Sequence, residues 1–314
     1  MSGVENRRQE RKSEEAAVAR GPQERNFRSR IPYFPGCAMK DQARDYERAA
    51  QAALAALGCE LVELPRWNCC GTVYSLANDD LMRHVGPVRN LIRVQDMGES
   101  RVLTLCAMCY GTLRRSARFV AADPERLSRI NAFMSDEHDY RGGVEVLHLL
   151  GFLRDVVGYE NLASKVVRPL TGVRAAPYYG CTLVRPREVG VDDPDRSEVL
   201  ERVLSALGAE VAEFPYKVEC CGAYLTVGAP AIVAGRVRDI VASAAANGAD
   251  LIVTSCPLCQ FNLEARRPGT GPRLPVVYLG QLLAWALGAD ACLPPEAEAL
   301  IQGTTPAAAG AQQR

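Results

Sequence analysis

Ten of the twelve cysteines fall into two matching sets: Cys37, Cys69, Cys70, Cys106 and Cys109, then Cys181, Cys220, Cys221, Cys256 and Cys259. Each set runs as a single cysteine, a Cys-Cys-Gly triplet and a Cys-x-x-Cys pair. In the first set 31 residues separate Cys37 from Cys69 and 35 separate Cys70 from Cys106; the second set has gaps of 38 and 34. Adjacent cysteines restrict the chemistry. They do not easily bond to each other, because a disulfide wants a larger Cα separation than neighbours allow without strain. They are also poor chelators of one ion. A structural zinc site takes four ligands in a tetrahedron, usually as two close pairs, and here five thiols converge. A thioredoxin-like pair accounts for Cys106-x-x-Cys109 and leaves the rest unexplained. An iron–sulfur cluster fits best, since several irons each take one thiolate and neighbouring cysteines can serve different irons. A cubane needs only four cysteines, so a fifth points to an opened cluster or a spare thiol.

Other residues carry weaker signals. Gly71 and Gly222 follow the cysteine pairs, where a tight turn at the mouth of a cluster wants φ > 0 and no Cβ; a plain turn glycine is the alternative. Cys59 aligns with Ala209 and reads as a small buried apolar residue. Cys292, near the C-terminus, reads as incidental. His148 aligns with Gln281 and is expected to be a satisfied helix-start histidine rather than a proton donor. His84 is expected at the surface. Tyr74 and Tyr224 follow the triplets at equal spacing and read as core packing or as a lining of the cleft. Lys217 and Arg66 could offset cluster charge, with a solvated surface role as the default. Trp67 suits a cleft wall or an interface.

These residues ride on a repeat. "YFPGC" answers "YYGC", "AALAALGCELVELPRWNCCG" answers "VLSALGAEVAEFPYKVECCG", and "RVLTLCAMCYGTL" answers "LIVTSCPLCQFNL". The offset between copies stays between 144 and 151 residues, too long for a solenoid and right for two homologous domains. In the first copy a short strand leads to Cys37. "YERAAQAALAAL" is an Ala-rich helix ending at Gly58, and "CELVEL" is a strand stopped by Pro65. A helix over roughly 78–97 comes next, then the strand "RVLTL", a helix opening at Cys109, and the strand "VEVLHL". Alternation of this kind predicts α/β architecture: two homologous modules, each a small parallel sheet, related by a pseudo-twofold. The cysteines would then follow the carboxyl ends of strands, where parallel sheets bind ligands, and helix N-termini there favour thiolate. The expected organisation is a charged, disordered extension over 1–30, modules over 31–160 and 175–290, and a low-complexity tail over 291–314.

Composition narrows the class further. The chain has 314 residues, an apolar fraction of 48% and a formal net charge of zero, so no nucleic-acid partner is expected. The N-terminal stretch has no apolar h-region, and Arg7-Arg8 is not a convincing export signal. "VVYLGQLLAWALGADACL" is broken by Gln281 and Asp290, so no membrane span is expected. A cytoplasmic location follows, where cysteine clusters serve metals or redox chemistry. No flavin or nicotinamide fingerprint and no ferredoxin-type cysteine run occurs.

The duplicated triplet module with all five cysteines in both copies, and the phrase "CPLCQFNLEARR" at 256–267, resembles the heterodisulfide reductase B-subunit family over about residues 31–290. The resemblance implies two non-cubane [4Fe-4S] clusters. One would be held by Cys37, Cys69, Cys70, Cys106 and Cys109, the other by Cys181, Cys220, Cys221, Cys256 and Cys259. It also implies a small thiol or disulfide substrate handled between the clusters. The implied partners resemble the other two proteins of that reductase, its cubane-carrying C-type component and its flavin-carrying A-type component. One departure stands out: the first Cys-x-x-Cys continues "YGTL" where the second continues "QFNL". The alternative function is an electron-transfer subunit of a sulfur-oxidising or quinone-linked dehydrogenase complex. A zinc-stabilised interaction protein, colourless and without acid-labile sulfide, is a third.

Overall fold

A computed structural model describes residues 29–72 and 81–303. Two four-stranded sheets, each entirely parallel, carry the chain. The first is ordered β2-β1-β3-β4, from β1 (Ser29–Tyr33), β2 (Cys59–Glu63), β3 (Arg101–Thr104) and β4 (Glu145–His148). The second repeats that order as β6-β5-β7-β8, from β5 (Arg174–Pro177), β6 (Glu210–Val211), β7 (Leu251–Thr254) and β8 (Val276–Tyr278). The strand order reverses direction between β1 and β3, and between β5 and β7. Ligands of open parallel sheets sit outside the carboxyl ends of the strands at such a reversal. Cys37 and Cys106 follow the two strands that flank it, as do Cys181 and Cys256.

The connecting helices form where local sequence favours them. Helix α1 (Gly36–Met39) is a single turn and carries Cys37, so the first strand ends four residues before that cysteine. Helix α2 (Arg44–Ala56) buries Tyr46, Ala49, Ala50, Ala53 and Leu54 along one face and stops at Gly58, whose φ of 84° is left-handed. The helix expected over 78–97 is shorter: a 3-10 turn (Met82–His84) leads into α3 (Val85–Asp96), and residues 73–80 lie outside the described part. Helices α4 (Ala107–Ala121) and α5 (Pro124–Phe133) complete the first module.

Short helices α6 (Leu149–Phe152) and α7 (Tyr159–Ser164) lead to the second module. There α8 (Val199–Ala206), α9 (Pro230–Ala246), α10 (Pro257–Ala265) and α11 (Leu279–Ala286) follow. A last helix, α12 (Pro295–Ile301), falls within the stretch that composition assigns to the tail. Ser29 and Arg30, assigned by charge to the N-terminal extension, are the first residues of β1. The disorder expected for the rest of that extension and for 304–314 lies outside the described residues.

The modules exchange their exits. Helix α11, which follows the last strand of the second module, packs along α2 of the first, while α6, leaving β4, packs against α8 of the second. Gly280 makes the first contact possible: a Cβ there would stand 2.8 Å from both the Ala50 Cβ and the Tyr46 ring. Tyr46 stacks on Tyr278 with ring centroids 4.3 Å apart, joining the modules beside Cys106 and Cys256. Offset stacking of this sort adds about 0.5–1.5 kcal/mol to the area both rings bury.

Candidate metal centre

The motif cysteines of each set come together from separate loops and helix starts. Cys37 and Cys69 are exposed and Cys181 and Cys220 half-buried, while Cys70, Cys106, Cys109, Cys221, Cys256 and Cys259 are buried. In the first module sulfur meets sulfur in a chain: Cys37 with Cys69, Cys69 with Cys70, Cys70 with Cys109, and Cys109 with Cys106. In the second, Cys181 meets Cys220, Cys256 meets Cys259, and the Cys221 and Cys259 sulfurs are 3.6 Å apart. The two sets touch. Cys106 and Cys256 lie within hydrogen-bonding reach of each other across the module junction, and the Ala107 amide donates to the Ser255 carbonyl at 3.3 Å alongside.

Local structure holds each thiol. Cys106 and Cys256 are the extended N-cap residues of α4 and α10, with Pro257 at the first helical position of the latter. Their partners Cys109 and Cys259 sit one turn in, so both pairs face helix N-termini, where partial positive charge favours thiolate. The first cysteine pair is clamped by Asn90 from α3, which accepts from the Asn68 amide at 3.0 Å and donates to the Asn68 carbonyl at 2.9 Å. In the second module the Tyr178 hydroxyl donates to the Glu219 carbonyl at 2.7 Å, just before Cys220.

Gly71 and Gly222 have φ of 74° and 83°, the left-handed turn expected of them. Their amides point at sulfur, Gly71 N–H to Cys69 Sγ at 3.5 Å and Gly222 N–H to Cys220 Sγ at 3.3 Å. A Cβ on Gly222 would meet Val233, not the thiol space. The glycines that keep sulfur uncrowded are Gly36 and Gly180, which sequence reasoning passed over. A Cβ on Gly36 would lie 2.7 Å from Cys109 Sγ, and one on Gly180 would lie 3.0 Å from Cys259 Sγ; both have positive φ. The signal was present, since glycine precedes the first cysteine in both copies.

Protons divide unequally within this crowd. A hydrogen bond from the Cys37 thiol pulls Cys69 down to about 2, and its counterpart on Cys37 is pushed up. The Cys181 thiol lowers Cys220 to about 6 against the opposing effect of burial. Ten neighbouring sulfurs can all be thiolates only if cations replace the shared protons, as metal coordination does. Two observations fit a polynuclear centre. The glycine-lined space lies beside the Cys109 and Cys259 sulfurs. The hydroxyls of Thr104, Thr254 and Ser255, next to Cys106 and Cys256 in sequence, are buried without a hydrogen-bond partner among the described residues.

The secondary candidates resolve differently. His148 is fully buried: its Nδ1 accepts from the Leu150 amide at 3.2 Å, so Nε2 carries the proton and donates to the Leu105 carbonyl at 3.2 Å. Burial lowers its pKa to about 4, and it is a neutral helix-start residue. Its expected partner in the repeat was wrong: register pairs His148 with Thr104 and Tyr278 with Thr254, so His148 corresponds to Tyr278 rather than Gln281. The expectation that His84 is exposed also fails. Its ring stacks on Phe119 at 4.1 Å, Nδ1 contacts Ser116 Oγ at 2.8 Å, and it is 8% exposed, because the 3-10 turn lays it on α4.

Lys217 is spent on Glu201 and the Ser197 carbonyl, at 2.6 and 2.9 Å, and does not face the thiols. Trp67 donates to Glu63 and meets Phe34 edge-on. Arg66 is exposed with φ of 50°. Tyr224 lies at the junction, its hydroxyl 3.4 Å from Thr72 Oγ1 of the other module; Tyr74 lies outside the described residues. Cys59 is buried beneath α2, and Cys292 sits beside Asp290, away from both sets.

The motif set belongs to a recognised class. The family model described as a cysteine-rich domain, CCG, matches residues 31–114 and again 175–264, and the chain belongs to that family. Among individual proteins, it is 33% identical over 267 residues to the 8-methylmenaquinol:fumarate reductase membrane anchor subunit of Wolinella succinogenes, covering 82% of this chain and 92% of that one. It is 28% identical over 271 residues to the B subunit of a CoB–CoM heterodisulfide reductase from Methanosarcina acetivorans, covering 83% and 90%. The fold is shared with a hypothetical protein from Helicobacter pylori, at a TM-score of 0.65 and 12% identity, over 83% of this chain and 50% of that chain. No helix among the described residues is long and apolar enough to cross a membrane.

Proposed function

We propose that the chain is an iron–sulfur subunit of a multisubunit oxidoreductase that reduces a small disulfide to two thiols, or runs the reverse, in the manner of the B subunit of heterodisulfide reductase. The observation that carries this is the meeting of two five-thiol sets at Cys106 and Cys256 across one junction. Cys37, Cys69, Cys70, Cys106 and Cys109 would hold one four-iron cluster, and Cys181, Cys220, Cys221, Cys256 and Cys259 the other, both non-cubane. Such clusters supply single electrons and soft metal sites suited to sulfur. Overall the disulfide gains two electrons and two protons, its S–S bond breaks, and two S–H bonds form.

The chain's own residues have defined parts in this. Gly36 and Gly180 leave room beside the inner thiols. The Gly71 and Gly222 amides offset charge on ligand sulfur. His148, neutral and fully bonded, steadies the carbonyl before Cys106 rather than supplying a proton. Leu258, between Cys256 and Cys259, and Tyr224, Leu225 and Val227 after the second triplet are exposed. An apolar rim of this kind supports docking of an electron-delivering partner, a cubane-carrying C-type or flavin-carrying A-type component of such a complex. The expected location is the cytoplasm.

Anaerobically purified protein is expected to be brown, with about eight irons and as many sulfides per chain. A candidate thiol added to the oxidised protein should produce a new paramagnetic signal that broadens on enrichment with a magnetic iron isotope. Stoichiometric zinc without sulfide would exclude the proposal.

A second reading is favoured by the 33% identity to a component of a quinol:fumarate reductase: an electron-transfer subunit of a quinone-linked complex, with no disulfide chemistry of its own. Clusters that ignore thiols and disulfides but are reduced rapidly by a menaquinol analogue or a redox partner would establish it.

A further inference from the structure

The two thiol sets receive the same backbone donors but not the same side-chain donors. In the first module the amides of Gly71, Thr72 and Cys109 are directed at Cys69, Cys70 and Cys106. In the second, those of Gly222 and Ala223 are directed at Cys220 and that of Cys259 at Cys256. Asn262 adds a side-chain donor in the second module that has no counterpart among the described residues of the first.

Asn262 lies on α10, one turn beyond Cys259, and is fully buried. Its Nδ2 is 3.2 Å from the Cys221 carbonyl oxygen and 3.5 Å from the Cys221 sulfur, while Oδ1 accepts from the Thr226 hydroxyl at 2.7 Å. A carbonyl oxygen only accepts, so the amide nitrogen faces Cys221 and the orientation of the carboxamide follows from the network. Thr226 holds the other end.

The same helix position in the first module is Thr112. Its hydroxyl donates to the Met108 carbonyl at 2.8 Å and lies 3.1 Å from Thr72 Oγ1. Among the described residues no side-chain N–H is recorded on a first-module sulfur.

We propose that Asn262 is a positioning residue that raises the reduction potential of a cluster held by the second set. The proposal rests on the iron–sulfur assignment above. Each one-electron reduction adds negative charge that is shared by the ligand sulfurs. A buried N–H aimed at one of them stabilises that charge, and hydrogen bonds to sulfur are among the protein's controls on such potentials.

The test is an anaerobic dithionite titration followed by visible absorbance and paramagnetic resonance, with iron and sulfide counted beside it. A chain carrying Cys69→Ser and Cys70→Ser identifies the second-module couple. Asn262→Thr installs the residue that the first module already tolerates. It is expected to lower the second-module midpoint, leave the other in place, and leave metal content unchanged. Thr226→Val, which releases the far end of the carboxamide, is expected to give a smaller fall in the same direction and keeps the test open should Asn262→Thr bind no cluster. Two clusters with unmoved potentials in both variants would overturn the role of Asn262 while the cluster assignment stands. A wild-type chain that binds no cluster would overturn both.

Discussion

The two modules share strand order, the order of cysteine motifs and glycine turns, yet their thiols stand in different surroundings. In the first, Cys37 and Cys69 are exposed; in the second, Cys181 and Cys220 are half-buried. The first closes its sheet with His148, the second with Tyr278. Gly111-Thr112 follows one Cys-x-x-Cys and Phe261-Asn262 the other. Part of that difference has a steric cause: a Cβ at Gly111 would lie 2.6 Å from the Thr182 methyl of the facing module, so no larger side chain fits. The repeat keeps the positions of the thiols, while residues around them differ where the two copies pack on each other.

The sharpest way to break the symmetry is at the ligands. Cys70→Ser and Cys221→Ser are each expected to remove one cluster and about half of the iron, because each is a buried thiol of its five-cysteine set. Cys59→Ser and Cys292→Ser are expected to leave both clusters intact. Loss of iron from Cys59→Ser would refute the assignment of ligands.

A second prediction concerns pH. His148 has its pKa lowered to about 4 by burial, against about 6.5 when unfolded. The unfolded chain therefore binds the proton first as pH falls. The stability from burying neutral imidazole is fully present above pH 6.5 and is lost progressively down to about pH 4, a total of roughly 3 kcal/mol. Urea unfolding of metal-free protein at several pH values should show this slope. His148→Tyr, which installs the residue of the second module, should remove that component. An unchanged slope would mean that the histidine does not titrate as its burial requires.

Gly36 and Gly180 offer the subtlest comparison. Alanine at either position meets a left-handed φ, a penalty of about 1–2 kcal/mol. The approach to sulfur is tighter at Gly36, 2.7 Å against 3.0 Å. Gly36→Ala is therefore expected to lower both cluster occupancy and melting temperature more than Gly180→Ala. Equal effects would show that the strained turn, not the thiol contact, sets the cost.

Much of the architecture was legible in the order of residues. The repeated cysteine phrases marked the duplication, strand-helix alternation specified parallel sheets, and Gly58 stood where α2 stops. These depend on neighbours along the chain, which is why they could be read. The contact between Cys106 and Cys256 could not be, since it joins residues 150 positions apart in two modules that meet through packing. His84 looked like a surface residue until its 3-10 turn laid it on Phe119. Gly36 and Gly180 appeared to be turn residues, and only the arrival of Cys109 and Cys259 from a later helix shows what their missing side chains leave open. Asn262 was visible as a letter in "QFNL", but its partner Cys221 lies 41 residues earlier. Spacing along the chain determines which side chains a strand end or helix turn presents. What those side chains meet is decided by packing, because sulfur, amide and Cβ contacts act over a few ångströms regardless of separation in sequence.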